Sequence, residues 1–154
     1  MTKHVFRTLA LVAALSLLPL TGAVAASPVI TRGSYEETFH DDYILELCGI
    51  ATETTVTERW TVKEFPDGST TLHVVRTFVP ADPRIPVEKT ASTSFIATNG
   101  TRTVVGKPIQ LIGPQGVRLL DAGWIAFVTP GVIGDQHGHH ESLTAELADS
   151  YCPA

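Results

Sequence analysis

The stretch GDQHGHHE, Gly134 to Glu141, sets three histidines and a carboxylate within five residues. Imidazole nitrogens and carboxylate oxygens are common ligands of Zn²⁺ and Cu²⁺. On an extended chain His137, His139 and Glu141 point one way and His140 the other. A structural zinc site needs four ligands, and a catalytic one needs three plus water. The local face offers two imidazoles and one carboxylate, so His40 or His73 would have to complete it from a distance. Gly134 and Gly138 loosen the backbone and cost affinity. Three readings compete: a metal site at His137, His139 and His140, a pH-responsive loop, and an exposed connector. The connector is the simplest, because the stretch joins the Trp124 segment to the one that carries Cys152. No metal and no cofactor is therefore assigned. A Zn²⁺ titration is expected to find no site tighter than roughly tens of micromolar.

Other chemistry is harder to place. Acyl transfer needs a nucleophile, a base and an orienting group, but no G-x-S-x-G elbow occurs. Neither a P-loop nor a G-x-G-x-x-G run is present. The acidic pairs Glu36-Glu37 and Asp41-Asp42 sit in a polar lead-in. The enzyme class gains no specific support.

The elements that must position these residues begin after a leader. MTKHVFR carries Lys3 and Arg7, an apolar run of about a dozen residues follows, and Ala23 and Ala25 stand where A-x-A is needed. Residues 1–25 read as a secretory signal peptide, which makes the protein extracellular. The apolar run is short of the ~20 residues that span a bilayer, and no later run is long enough. Removing Lys3 and Arg7 from the 11 basic residues leaves 9 against 16 acidic ones, a net charge of about −7. Nucleic acid and anionic lipid are poor partners for such a surface. Cys48 and Cys152, an even pair in an oxidising compartment, predict a disulfide.

Residues 26–42 read as a flexible acidic lead-in, with SYEE, Ser34 to Glu37, able to cap one short helix. Residues 43–154 read as one β domain. From Glu53 to Phe65 the chain alternates: Val56, Trp60 and Val62 share one face, and Thr55, Thr57, Arg59, Thr61 and Lys63 the other. Pro66-Asp67-Gly68 supplies a three-residue turn. If Phe65 faces Ser69, then Trp60 faces Val74, Val62 faces Leu72, Val56 faces Phe78 and Glu58 faces Arg76. An ion pair on an apolar face is either a structural rim feature or part of a ligand cavity. Pro80, Pro83 and Pro86 predict an extended crossing to another edge or sheet. Asn99-Gly100 predicts a two-residue type I′ turn with Thr98 facing Thr101 and Phe95 facing Val104. GPQG and DAG are expected turns, the second placing Leu120 against Trp124. The segment LTAELADSYC is a last strand or a short helix.

The expected fold is thus all-β, a single antiparallel barrel or sandwich of about six to eight strands, with room for a short helix at either end. The barrel is preferred because closure removes edges. With FHDDYILELCGI leading into one Cys, PDG and NG turns in a β-rich middle, and ADSYCPA at the end, the chain resembles the small secreted β-rich proteins of unknown function found in actinobacteria. The resemblance implies a compact β fold with a terminal disulfide and no particular activity. The leading functional expectation is a ligand- or partner-binding module, with a cavity near Glu58, Trp60, Arg76 and Trp124. A structural or interaction protein of the cell envelope is the alternative, and an enzyme with an unrecognised site stands behind both.

Overall fold

The computed structural model describes residues 26–153; the signal-peptide expectation falls outside them. Seven antiparallel strands run in sequence order: β1 (Val29–His40), β2 (Glu53–Glu64), β3 (Thr70–Pro80), β4 (Val87–Ile96), β5 (Arg102–Gly113), β6 (Gly116–Thr129) and β7 (Val132–His140). They form one sheet in which each strand pairs with its sequence neighbours. Two short helices, α1 (Asp42–Cys48) and α2 (Leu147–Tyr151), pack beside it. The all-β expectation and the strand number hold. Closure does not, because β1 and β7 are the two edges of the ladder.

The first hairpin follows its alternation. Val56 faces Phe78, Glu58 faces Arg76, Trp60 faces Val74 and Val62 faces Leu72. The turn is set by Phe65 N–H bonding to Ser69 O, with Gly68 at φ 83° and Asp67 Oδ1 accepting from Ser69 N and Oγ. The second hairpin reuses this device. Ala97 N–H bonds to Thr101 O, Gly100 takes φ 84°, and Asn99 Oδ1 accepts from Thr101 N and Oγ1. Its loop is therefore three residues, not two, and the expected register slips by one. Ser94, not Phe95, faces Val104. A one-residue slip exchanges the faces, so Ser94 is buried and Phe95 is exposed.

Four further expectations give way. The lead-in 29–40 is a full strand in ladder with β2 rather than a flexible segment or a helix at Ser34–Glu37. It is an edge strand, exposed along most of its length, so polar residues are tolerated on both faces. The proline segment returns the chain beside β3 instead of moving it to another edge. Asp121-Ala122-Gly123 is no turn but the middle of β6. Gly134 to His140 is strand β7, not a connector. Across β5, β6 and β7, Gly106, Gly123 and Gly138 face one another with φ between 116° and 135°. A Cβ on Gly123 would lie 2.1 Å from His137 O, so glycine is required where these backbones crowd.

The main core lies at one end of the sheet. Ile44 from α1, Ile85 from the β3–β4 connection, Leu111, Leu119, and Tyr151 from α2 form one cluster, with Leu47, Cys48, Ile50 and Ile109 against it. Each such apolar side chain contributes about 1.5–3 kcal/mol when fully buried. Asp41 caps α1 through Ile44 N, at 3.0 Å, and Gly49 ends it at φ 68°. Cys48 and Cys152 are disulfide-bonded and join the two helices into a cap over this end. Arg118 donates to Asp149 O and Cys152 O, holding the last turn of the chain.

Candidate functional site

Between the cap and the sheet lies a half-open cavity of about 250 Å³. Its lining comes from both helices, strands β1 to β4 and the β3–β4 connection. Phe39 ends β1, Asp41 and Tyr43 open α1, Thr54, Arg76, Phe78 and Glu88 come from β2–β4, Ile85 and Pro86 from the connection, and Tyr151 from α2. Phe78 and Glu88 are direct partners across β3 and β4, so they meet the cavity side by side. Thr54, Val56 and Glu58 point to this same face of β2 and are buried, while Thr57 between them and Arg59 after them are exposed.

The polar groups are mutually anchored. Asp41 Oδ1 caps α1, and its Oδ2 accepts from Thr54 Oγ1 at 2.6 Å. The Tyr151 hydroxyl donates to Glu88 Oε2. The Tyr43 and Tyr151 rings meet edge to face, with centroids 5.6 Å apart. Arg76 donates through Nε and Nη2 to Glu58 Oε2, and its guanidinium lies 5.6 Å from the Phe78 ring centroid. Burial raises the Tyr151 hydroxyl pKa above its ordinary range, and Glu88 adds to the effect. Burial also raises Tyr43, with Glu88 and then Asp41 contributing. Both phenols therefore lose their protons less readily than a free tyrosine.

Of the four expected cavity residues, Arg76 lines this space, and Glu58 is bonded to it from the next strand. Trp60 lies two residues further along β2 on the same face, against Gly33 of β1. Trp124 lies elsewhere. It pairs with Val105 and His137, next to buried Ile125, and so occupies the opposite face of the sheet. Tyr43, Glu88 and Tyr151 are not among the expected site residues, and Asp41 enters the expectation only as part of an acidic pair in the lead-in. One signal pointed to them: the Cys48–Cys152 bridge draws DYILELC and SYC together, each carrying a tyrosine.

The histidines separate as alternation requires. His139 Nε2 is 2.9 Å from Glu141 Oε1, while His140 lies opposite Asp121. Glu141 also accepts from Leu120 N, and this backbone bond, then His139, lowers its pKa. Asp121 is buried and accepts from Ser142 N and Oγ. These carboxylates fasten the turn after β7. His40 contacts Glu53, and His73 contacts Thr93, so neither joins the cluster. Among the described residues no group of three or more His, Cys, Asp or Glu is placed to hold a metal ion.

A larger groove, about 520 Å³, borders the β5–β6 turn and includes Arg84 and Arg118. Arg84 pairs with Asp82 and Arg118 with backbone carbonyls. These bonds already engage both guanidinium groups, leaving mostly turn backbone.

Comparison with known proteins brings no match: no family model, no curated protein and no solved structure is similar to this chain. Among the described residues no helix is long and apolar enough to cross a membrane.

Proposed function

We propose that this protein is a secreted small-molecule-binding module and that its site is the cavity between the sheet and the disulfide-tied cap. The observation that carries the reading is the lining itself. Four aromatic rings, Phe39, Tyr43, Phe78 and Tyr151, converge with Asp41, Glu88 and Arg76 on one recess. Apolar walls with a few fixed polar groups are the usual composition of a ligand site. At about 250 Å³ the recess lies just below the ~300–1,000 Å³ usual for ligand pockets, so it suits only a small ligand. The polar groups are already held by hydrogen bonds, so little ordering remains to oppose binding. Secretion rests on the N-terminal pattern together with the disulfide.

The test is a ligand-observed NMR screen of the oxidised protein against a fragment and metabolite library. Saturable hits displaced by one another and weakened by Tyr43→Ala are expected. A library in which no compound binds saturably, or in which every hit is indifferent to Tyr43→Ala, contradicts the reading.

A second reading rests on the sheet edges. β1 and β7, 12 and 9 residues long, present unpaired backbone and are exposed on both faces. Long open edges are templates for strand addition, which suits an envelope partner or structural role. Chemical cross-linking on intact cells, with edge-placed prolines at Ser34 and Gln136 as controls, tests it. Cross-links lost in both variants support it, and cross-links unchanged by them contradict it.

A further inference from the structure

We propose that the ligand of the cavity is a small organic cation; the inference rests on the cavity being a ligand site. Three observations converge. First, the charges that line the recess are Asp41, Glu88 and Arg76. Arg76 is bonded to Glu58, so its charge is already matched from behind. With Arg76 paired to Glu58, the two wall carboxylates Asp41 and Glu88 have no second cation in the lining, and the site is negative overall.

Second, Glu88 keeps acceptor capacity for a guest, while both Asp41 oxygens already accept from Ile44 N and Thr54 Oγ1. Tyr151 engages Glu88 Oε2, and no protein donor reaches Glu88 Oε1 among the described residues. An ionised carboxylate offers about four lone-pair sites, so one phenol leaves most of them open.

Third, the walls are aromatic, and two of the four rings are phenols. The face of an aromatic ring carries negative potential and attracts cations, most strongly where water is excluded. The site already shows this preference. The Arg76 guanidinium lies over Phe78. Tyr43, half exposed at the edge of the recess, presents a ring that a guest can cover. A neutral guest would leave the carboxylates uncompensated, and an anion would face two like charges.

The experiment uses three probes of nearly the same shape and different charge: choline, its uncharged isostere 3,3-dimethylbutan-1-ol, and 3,3-dimethylbutanoate. Each is titrated calorimetrically into the oxidised protein. Choline is expected to bind at least tenfold more tightly than the alcohol, with the carboxylate weakest. Glu88→Gln, which keeps the shape and a partner for Tyr151, is expected to weaken choline about tenfold and leave the alcohol unchanged. Tyr43→Ala, at a half-exposed position, is expected to weaken choline and to lower the thermal midpoint by no more than about 8 °C, the loss of one edge-to-face contact. If the alcohol or the carboxylate binds as tightly as choline, the charge inference is overturned and the cavity stands. If other library compounds bind in the cavity but choline does not, the charge inference is again overturned. If nothing binds there, the cavity reading falls with it.

Discussion

Tyr151 and Glu88 stand 63 residues apart in the chain, and the Tyr151 hydroxyl donates to Glu88 Oε2. This bond ties the last helix to the fourth strand and closes one side of the cavity. Both residues are cavity lining, so the same contact serves the fold and the site.

Tyr151→Phe should therefore cost about 1–3 kcal/mol, the range for losing a hydrogen bond to a charged acceptor. The pH dependence has a defined sign. Burial, then the Glu88 bond, raises the folded-state pKa of Tyr151, while an unfolded tyrosine titrates near about 10. Above that pH the unfolded chain releases a proton that the folded chain keeps, so stability falls as pH rises. Urea midpoints from pH 8 to 11 should decline in the native protein and decline less in Tyr151→Phe. Equal slopes would contradict the assignment.

The Glu58–Arg76 pair makes a second prediction. Glu58 is 9 % exposed, while the Arg76 side chain is 37 % exposed. Removing the guanidinium leaves a nearly buried carboxylate without a partner. For a fully buried pair that costs about 3–5 kcal/mol, and solvent at Arg76 reduces it to about 1–3 kcal/mol. Arg76→Leu should fall in the lower range. Glu58→Leu combined with Arg76→Leu should recover most of the loss, because no charge is then stranded. A double-mutant cycle with coupling below about 0.5 kcal/mol would show the pair to be a screened surface contact.

Gly33 lies under the Trp60 indole, where an added Cβ would sit 2.3 Å from Trp60 Cζ2. Gly33→Ala must displace the ring and is expected to cost about 1–3 kcal/mol, the usual range for overpacking. In a Trp124→Phe background, Trp60 emission should shift to longer wavelength as the ring leaves its contact. Unchanged emission with unchanged stability would show that the contact carries no weight.

The disulfide spans 104 positions of the chain. The chain-entropy model assigns a loop of that length about 4–5 kcal/mol, as an upper value. Reduction should loosen the cap before the sheet. Hydrogen exchange is expected to accelerate in Asp42–Cys48 and Leu147–Tyr151 while β2 and β3 amides stay protected. Uniform acceleration would mean that cap and sheet form one cooperative unit.

The β2–β3 hairpin was legible because its apolar alternation and its PDG turn agree on one register. The β4–β5 hairpin shows how narrow that margin is. NG alone predicts a two-residue turn, but Thr98 joins the loop, and every partner moves by one. β1 and β7 escaped the sequence reading because edge strands bury little, so Thr, Glu and His are tolerated and the periodic signal fades. Asp121-Ala122-Gly123 misled for a different reason: its glycine serves close backbone approach inside a strand. The site was legible only in part. Glu58 and Arg76 could be paired by register, but Asp41, Tyr43 and Tyr151 reach the sheet through a cap that only the disulfide foreshadowed.

The most direct measurement is a titration of the oxidised protein with choline, followed by two-dimensional NMR of its aromatic side chains. Saturable shifts are expected at Phe39, Tyr43, Phe78 and Tyr151, with Phe95 and Trp124 on the opposite face unmoved. Shifts that fail to saturate, or that appear at Phe95 and Trp124 instead of the four cavity rings, would contradict the account.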